Sequence, residues 1–169
     1  MIIREEQFSD IEPVWQVNND AFDTDTEARL VNALRSSGCE YISLVAEIDH
    51  KVIGHILFTP VKLTGNENTL KIMALAPMAV CKLYQNKGVG SELVKAGLTR
   101  CRELGYDAVV VLGHPGYYPK FGFIPSVNYN IKSEYDVPDN VFMILELTPG
   151  SLEEHHQGII KYHDAFNNV

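Results

Sequence analysis

The sequence predicts an α/β fold: a mixed central sheet flanked by helices, with two parallel central strands that splay apart. Three observations predict it. Helical spacing over residues 9–38 gives way to strand-like runs from 43 onward. A strand, a helix and a strand then follow at 70–80, 88–104 and 108–112, the order of a parallel crossover. Pro77 lies inside the first of those strands, where it cannot donate to a ladder and marks a bulge or a splay.

The elements follow in order. Ile2 and Ile3 begin a short strand. Ser9, Asp10, Ile11 and Glu12 read as a capping box opening a helix, with Pro13 tolerated in its first turn. Ile11, Val14, Trp15 and Phe22 are expected to face the core. A second helix starts near Thr26, places Leu30, Val31 and Leu34 on one face, and stops at Gly38. A strand over 43–48, a turn at 49–51 and a strand over 52–63 make a hairpin, and residues 64–68 make another turn. The strand over 70–80 is apolar on both faces and therefore central.

The helix over 88–104 carries Leu93, Val94, Leu98, Cys101 and Leu104 at helical spacing. Gly97 lets it approach the sheet, and Gly105 ends it. The strand over 108–112 leads into a loop with one helical turn over 113–122. A late strand over 142–147 is broken by Pro149 and Gly150. Residues 159–162 make either a terminal strand or a docked segment. The chain reads as a single domain over 1–169, with the tail over 151–169 as an extension of it.

The formal net charge is −8 and no basic run is present, which argues against a nucleic-acid partner. A negative field favours a small cationic substrate such as an amine. No apolar run approaches the ~20 residues that span a bilayer. The start, MIIREEQF, lacks the features of a signal peptide. Cys39, Cys81 and Cys101 give neither a disulfide framework nor zinc spacing, and no histidine set has metal spacing. The expectation is a cytoplasmic protein with no metal and no membrane partner, as a monomer or a homodimer.

Residues 77–90 read PMAVCKLYQNKGVG: an apolar strand, a turn, and glycines that open a helix. A helix N-terminus presents unpaired N–H groups and the positive end of a dipole, so it holds an anion through backbone alone. Lys87 adds a positive charge at the lip. The loop is not a Walker loop, because Lys87 precedes Gly88 and Val89 follows it. Nor is it a dinucleotide fingerprint, because Leu93 stands where a third glycine is needed. What remains is Gln85-x-x-Gly88-x-Gly90 between a strand and a helix. Taken alone, it also fits an ordinary strand-to-helix turn.

The second informative stretch is GHPGYYPKFGF over 113–123, dense in aromatics. The bland alternative is an aromatic cluster covering a sheet edge. Together the two motifs resemble those of the GNAT acetyltransferase superfamily. Its pyrophosphate loop is written Gln/Arg-x-x-Gly-x-Gly/Ala, and its later motif is Tyr-x-basic-apolar-Gly-Phe, here Tyr118 to Phe123. The resemblance extends from Ile2 to about Leu147. The segments FMILELTPG and GIIKYHDAF also resemble those of the small YhbS-type N-acetyltransferases.

The resemblance implies a V-shaped splay between the central strands and direct transfer of an acetyl group from acetyl-CoA to an amine in a ternary complex. Met78, Ala79 and Val80 would pair with the pantetheine arm. Gln85, Asn86, Lys87, Gly88, Val89, Gly90 and Ser91 would hold the pyrophosphate, and Tyr117 and Phe121 would line the cofactor. Tyr118 would protonate the leaving thiolate, with Tyr117 as the alternative donor. Lys82 stands where many relatives have proline, and strand 70–80 carries no carboxylate to serve as base.

The base therefore has candidates elsewhere. Glu27 begins the second helix, where a carboxylate is also simply favourable to the dipole. His114 ends a central strand and has a suitable pKa range, but also fits a loop histidine bonded to backbone. His55 reads as a core histidine, and His155 and His156 as solvated. Cys81 reads as a small hydrophobe rather than a nucleophile. The rival readings are a non-catalytic acyl-CoA-binding or sensor module, and a structural protein that shares only the fold.

Overall fold

Helical and strand spacing are realised in a mixed α/β fold, a multi-strand mixed sheet flanked by helices. It is seen in a computed structural model that describes residues 1–65, 70–153 and 157–168. His155, His156 and part of the turn expected at 64–68 lie outside the described residues. The chain divides into two compact units. The first holds Met1–Thr59, Ala76–Thr99 and the residues from Asp164, and the second holds Pro60–Leu75 and Arg100–His163.

In the first unit, β1 (Ile2–Glu5), β2 (Ile42–Ile48) and β3 (Lys51–Leu63) pair antiparallel in that order. Asp49 and His50 join β2 to β3 with φ of 49° and 64°, the two-residue turn that matches strand twist. Helices α1 (Ile11–Ala21) and α2 (Thr26–Ser36) bury Val14, Val17, Leu30, Val31 and Leu34 against Val45 and Leu57 of the strands. Gly38, at φ 80°, follows the end of α2 as expected. Helix α3 (Val89–Glu103) begins in this unit. A Cβ at Gly97 would lie 2.2 Å from the ring of Phe58, so the absent side chain is what admits the helix.

In the second unit, β4 (Ile72–Val80) starts parallel to β5 (Ala108–Leu112), with Ile72, Met73 and Ala74 opposite Ala108, Val109 and Val110. The parallel register stops at Ala74, while the strand itself runs on past Pro77 to Val80. β8 (Phe142–Glu146) pairs antiparallel with β5 and with the short β6 (Ile124–Pro125). β9 (Gly158–Lys161) joins the end of β3 and runs parallel to β7 (Ile131–Ser133). The tail segment is thus a strand. Ile131, Phe142, Ile144 and Ile160 share one core with Ile72 and Val110.

Two local expectations are corrected. The capping box is not Ser9 to Glu12. A 3-10 turn at Phe8–Asp10 precedes α1, and the Asp10 carboxylate accepts from the Gln7 N–H at 2.7 Å and from Arg4 at 2.6 Å. That carboxylate is committed backwards, to the turn and to an ion pair. Leu104 is 43% exposed, because α3 ends at Glu103 and the chain leaves the buried stripe there. Phe22 packs half-buried against the α1–α2 core as expected, Ile11 and Trp15 are half-buried, and Val17 is buried beside Val14.

Candidate active site

The loop after β4 is held by side chains but opens through its backbone. The Cys81 N–H donates to the Ile53 carbonyl at 2.9 Å. A 3-10 turn at Lys82–Tyr84 follows, and the Lys82 N–H donates to the Asp20 carboxylate at 2.6 Å. A proline there would have no N–H to give. The Gln85 amide folds back and donates to the Val80 carbonyl at 2.9 Å, so it braces the loop. Asn86 and Gly88 then turn the chain at φ 61° and 89°, in the left-handed region that glycine, and after it asparagine, adopts most readily.

A Cβ at Gly88 would meet nothing within 4 Å, so its glycine supplies conformation rather than space. The Glu92 N–H to Gly88 carbonyl bond, 3.1 Å, opens α3. The Val89 and Gly90 N–H groups lie ahead of it, at the positive end of the helix. Lys87 is exposed, with its Nζ 5.9 Å from the centre of the Tyr84 ring. Gly54 lies beneath this first turn: a Cβ there would be 3.1 Å from both Val89 and Leu93. Ahead of the loop, Ala79 is buried, and Met78 and Val80 are half-buried.

The neighbourhood disfavours thiolate chemistry. Cys81 shares a cleft of about 710 Å³ with Arg4, Asp20, Lys51 and Tyr84. Burial, and after it the Asp20 charge, push its thiol above its ordinary value, so little of the nucleophilic form is present. His55 is the core histidine expected. It has no exposed surface, and its ring nitrogens lie 3.3 Å from the Asn18 amide and 2.9 Å from the Ser43 hydroxyl. Burial pushes its pKa down to about 3, so it stays neutral. Glu27 stands in the first turn of α2, in line with Leu30, Val31 and Leu34.

The second motif lies wholly in the second unit. Tyr118 begins a 3-10 turn at Tyr118–Phe121 and is buried. Its ring meets Tyr117 edge-on at 5.0 Å and Phe123 at 5.7 Å. A Cβ at Gly113 would lie 2.3 Å from that ring, so the glycine makes its seat. Burial pushes the Tyr118 pKa up to about 12, which keeps its hydroxyl protonated. Lys120 places its Nζ 4.0 Å over the half-buried Tyr117 ring, and Phe121 meets that ring edge-on at 5.4 Å. His114 is exposed, and its carbonyl accepts the N–H groups of Tyr117 and Tyr118.

The structure therefore gathers residues 78–91 and Glu27 into one unit, and His114, Tyr117, Tyr118 and Phe121 into the other. Sequence reasoning missed Asn18 and Asn19 on α1, although a polar Asn18 four residues after Val14 interrupts an apolar stripe and was a visible signal. Among the described residues, no three histidine, cysteine or acidic side chains group to hold a metal ion. No helix there is long and apolar enough to cross a membrane.

A mixed sheet whose fourth strand runs through a glycine loop into a helix is the frame of this site, and the chain belongs to the GNAT acetyltransferase family, whose domain model it matches over residues 3–125. It is 34% identical over 168 residues, 99% of each chain, to the uncharacterized N-acetyltransferase YhbS of Escherichia coli strain K12. The crystal structure of Escherichia coli YhbS in complex with CoA matches with a TM-score of 0.92 at 33% identity, covering 98% of this chain and 91% of that one. A GNAT family acetyltransferase from Brucella melitensis, in complex with acetyl-CoA, matches with a TM-score of 0.79 at 34% identity, covering 98% and 97%.

Proposed function

We propose that the protein is an acetyl-CoA-dependent N-acetyltransferase acting on the amine of a small molecule or peptide by direct transfer. The observation that carries this reading is the loop from Gln85 to Gly90. Its side chains brace it from within, and it turns through Asn86 and Gly88 to leave the N-terminus of α3 open. That is the chemistry a pyrophosphate needs. The relatives solved with CoA and acetyl-CoA support it.

In the reaction the amine nitrogen attacks the thioester carbonyl, the C–N bond forms, and the C–S bond breaks. The ammonium proton leaves to a base, for which Glu27 and His114 are the candidates. The backbone of Met78, Ala79 and Val80 holds the pantetheine arm. Tyr118 gives its proton to the departing thiolate and recovers it from solvent. A thiol near ~8.5 needs only modest help, so the loss on removing the acid is finite.

Tyr118→Phe is expected to lower kcat by about 10²-fold while leaving acetyl-CoA affinity within about twofold. Steady-state kinetics and calorimetry check it. An unchanged kcat across the pH range removes Tyr118 from the acid role. The acyl-CoA sensor reading has a simple test of its own: transfer to any amine above the uncatalysed rate excludes it.

A further inference from the structure

Four buried oxygens in the first unit have no hydrogen-bond partner: Asn18 Oδ1, Asn19 Oδ1, Glu27 Oε2 and Thr59 Oγ1. Buried polar groups are nearly always paired, so each of these asks for an explanation. Three of the four can only accept. What this region lacks is donors.

Their placement is specific. Asn18 and Asn19 lie on the last turns of α1, and Glu27 on the first turn of α2. These two helices share a core cluster with Leu57 of β3 and with Ala79, in the stretch of β4 proposed to carry the acyl arm. Asn18 reaches His55 on β3, and Thr59 lies on the same face of that strand as His55 and Leu57. A water suffices for a neutral carbonyl or hydroxyl. A buried carboxylate oxygen asks for positive charge as well.

We infer that Glu27 and Asn19 form a subsite for a cationic nitrogen of the acceptor, and that this nitrogen is not the one acetylated. The inference rests on the acetyltransferase reading. Its second half follows from acid–base chemistry. A carboxylate and amide oxygens stabilise an ammonium and raise its pKa. The attacking amine has to lose its proton, so a site that holds the proton on works against attack. The acceptor then carries two basic nitrogens, as in a diamine, a polyamine or a basic amino acid. Glu27 is then a positioning residue, and the base is His114 or a water.

The test compares α,ω-diamines, from 1,3-diaminopropane to 1,6-diaminohexane, with the matching n-alkylamines. Each series is titrated by calorimetry into the whole protein with CoA present, and assayed for acetyl transfer. The best diamine is expected to bind at least about tenfold more tightly than its monoamine partner. Glu27→Gln, nearly isosteric, is expected to abolish that preference by raising the diamine KM toward that of the matching monoamine. Asn19→Asp serves as the second variant and is expected to strengthen diamine binding.

Equal binding of the two series, or binding of neither, overturns the inference and leaves the four oxygens to buried water. A Glu27→Gln variant that lowers kcat equally for both series also overturns it, in favour of a base. Glu27-dependent diamine binding without transfer supports the subsite and brings down only the acetyltransferase reading.

Discussion

The loop over 81–91 and the face between α1 and α2 are built in opposite ways. The loop offers backbone. Its Gln85 amide and the Lys82 N–H are consumed in bracing it, and what it leaves open are N–H groups at a helix start. The α1–α2 face offers side chains. One polar cluster there, Asn18 with His55 and Ser43, has ring nitrogens that find partners, whereas Asn19 Oδ1 and Glu27 Oε2 find none. A backbone site requires particular residues at particular spacings and so writes a pattern into the sequence. A side-chain site assembles dispersed residues and writes none.

The largest expected effect lies on the side-chain half. His55 stays neutral when folded, with its pKa pushed from 6.5 to about 3 by burial, and after that by the Arg35 charge. The unfolded chain binds a proton below pH 6.5 and the folded chain does not. The stability is therefore present in full above pH 6.5 and is lost as pH falls toward 3. Between pH 6.5 and 4 the loss is roughly 3 kcal/mol, read from urea midpoints across that range. Asp10, which its hydrogen bond to Arg4 holds below its ordinary 3.8, adds its own loss only at lower pH. His55→Gln is expected to flatten the slope. A wild type with no slope in this window would show that the cluster takes up a proton when folded.

The backbone half has a test of opposite sign to a general rule. Alanine in place of glycine inside a helix usually stabilises by about 1 kcal/mol. At Gly97 the added carbon would lie 2.2 Å from the fully buried Phe58 ring, and overpacking costs about 1–3 kcal/mol. Gly97→Ala is expected to destabilise the fold by roughly 1 kcal/mol net, measured by urea unfolding. A stabilised variant would mean that α3 and its N-terminus ride on a softer seat than the contact implies.

Much of the fold was legible in the sequence, for physical reasons visible at single residues. Gly38, Gly88 and Gly105 mark positive-φ positions that few other residues fill. The apolar stripes of α2 and α3 named their own buried faces. The capping box failed because Ser9 and Glu12 fit a pattern that Asp10 abandons for Arg4, a partner six residues earlier. The terminal strand β9 stayed open because its pairing with β3 and β7 is non-local. In the candidate site, the loop and Tyr118 were named from motifs. The orphaned oxygen of Asn19 was not, since only packing decides whether a polar atom on a helix meets water or a buried gap.

Acetyl-CoA calorimetry on the wild type beside Gly88→Asp tests the central claim most directly. Residue 88 sits at φ 89° with open space around it, so aspartate strains the turn and sets a negative charge at the helix start without a clash in the core. The account predicts binding in the wild type and its loss, by about 10²-fold or more, in the variant. Equal binding in both would place the cofactor elsewhere than the loop. No binding in either would leave the protein a GNAT fold without its cofactor.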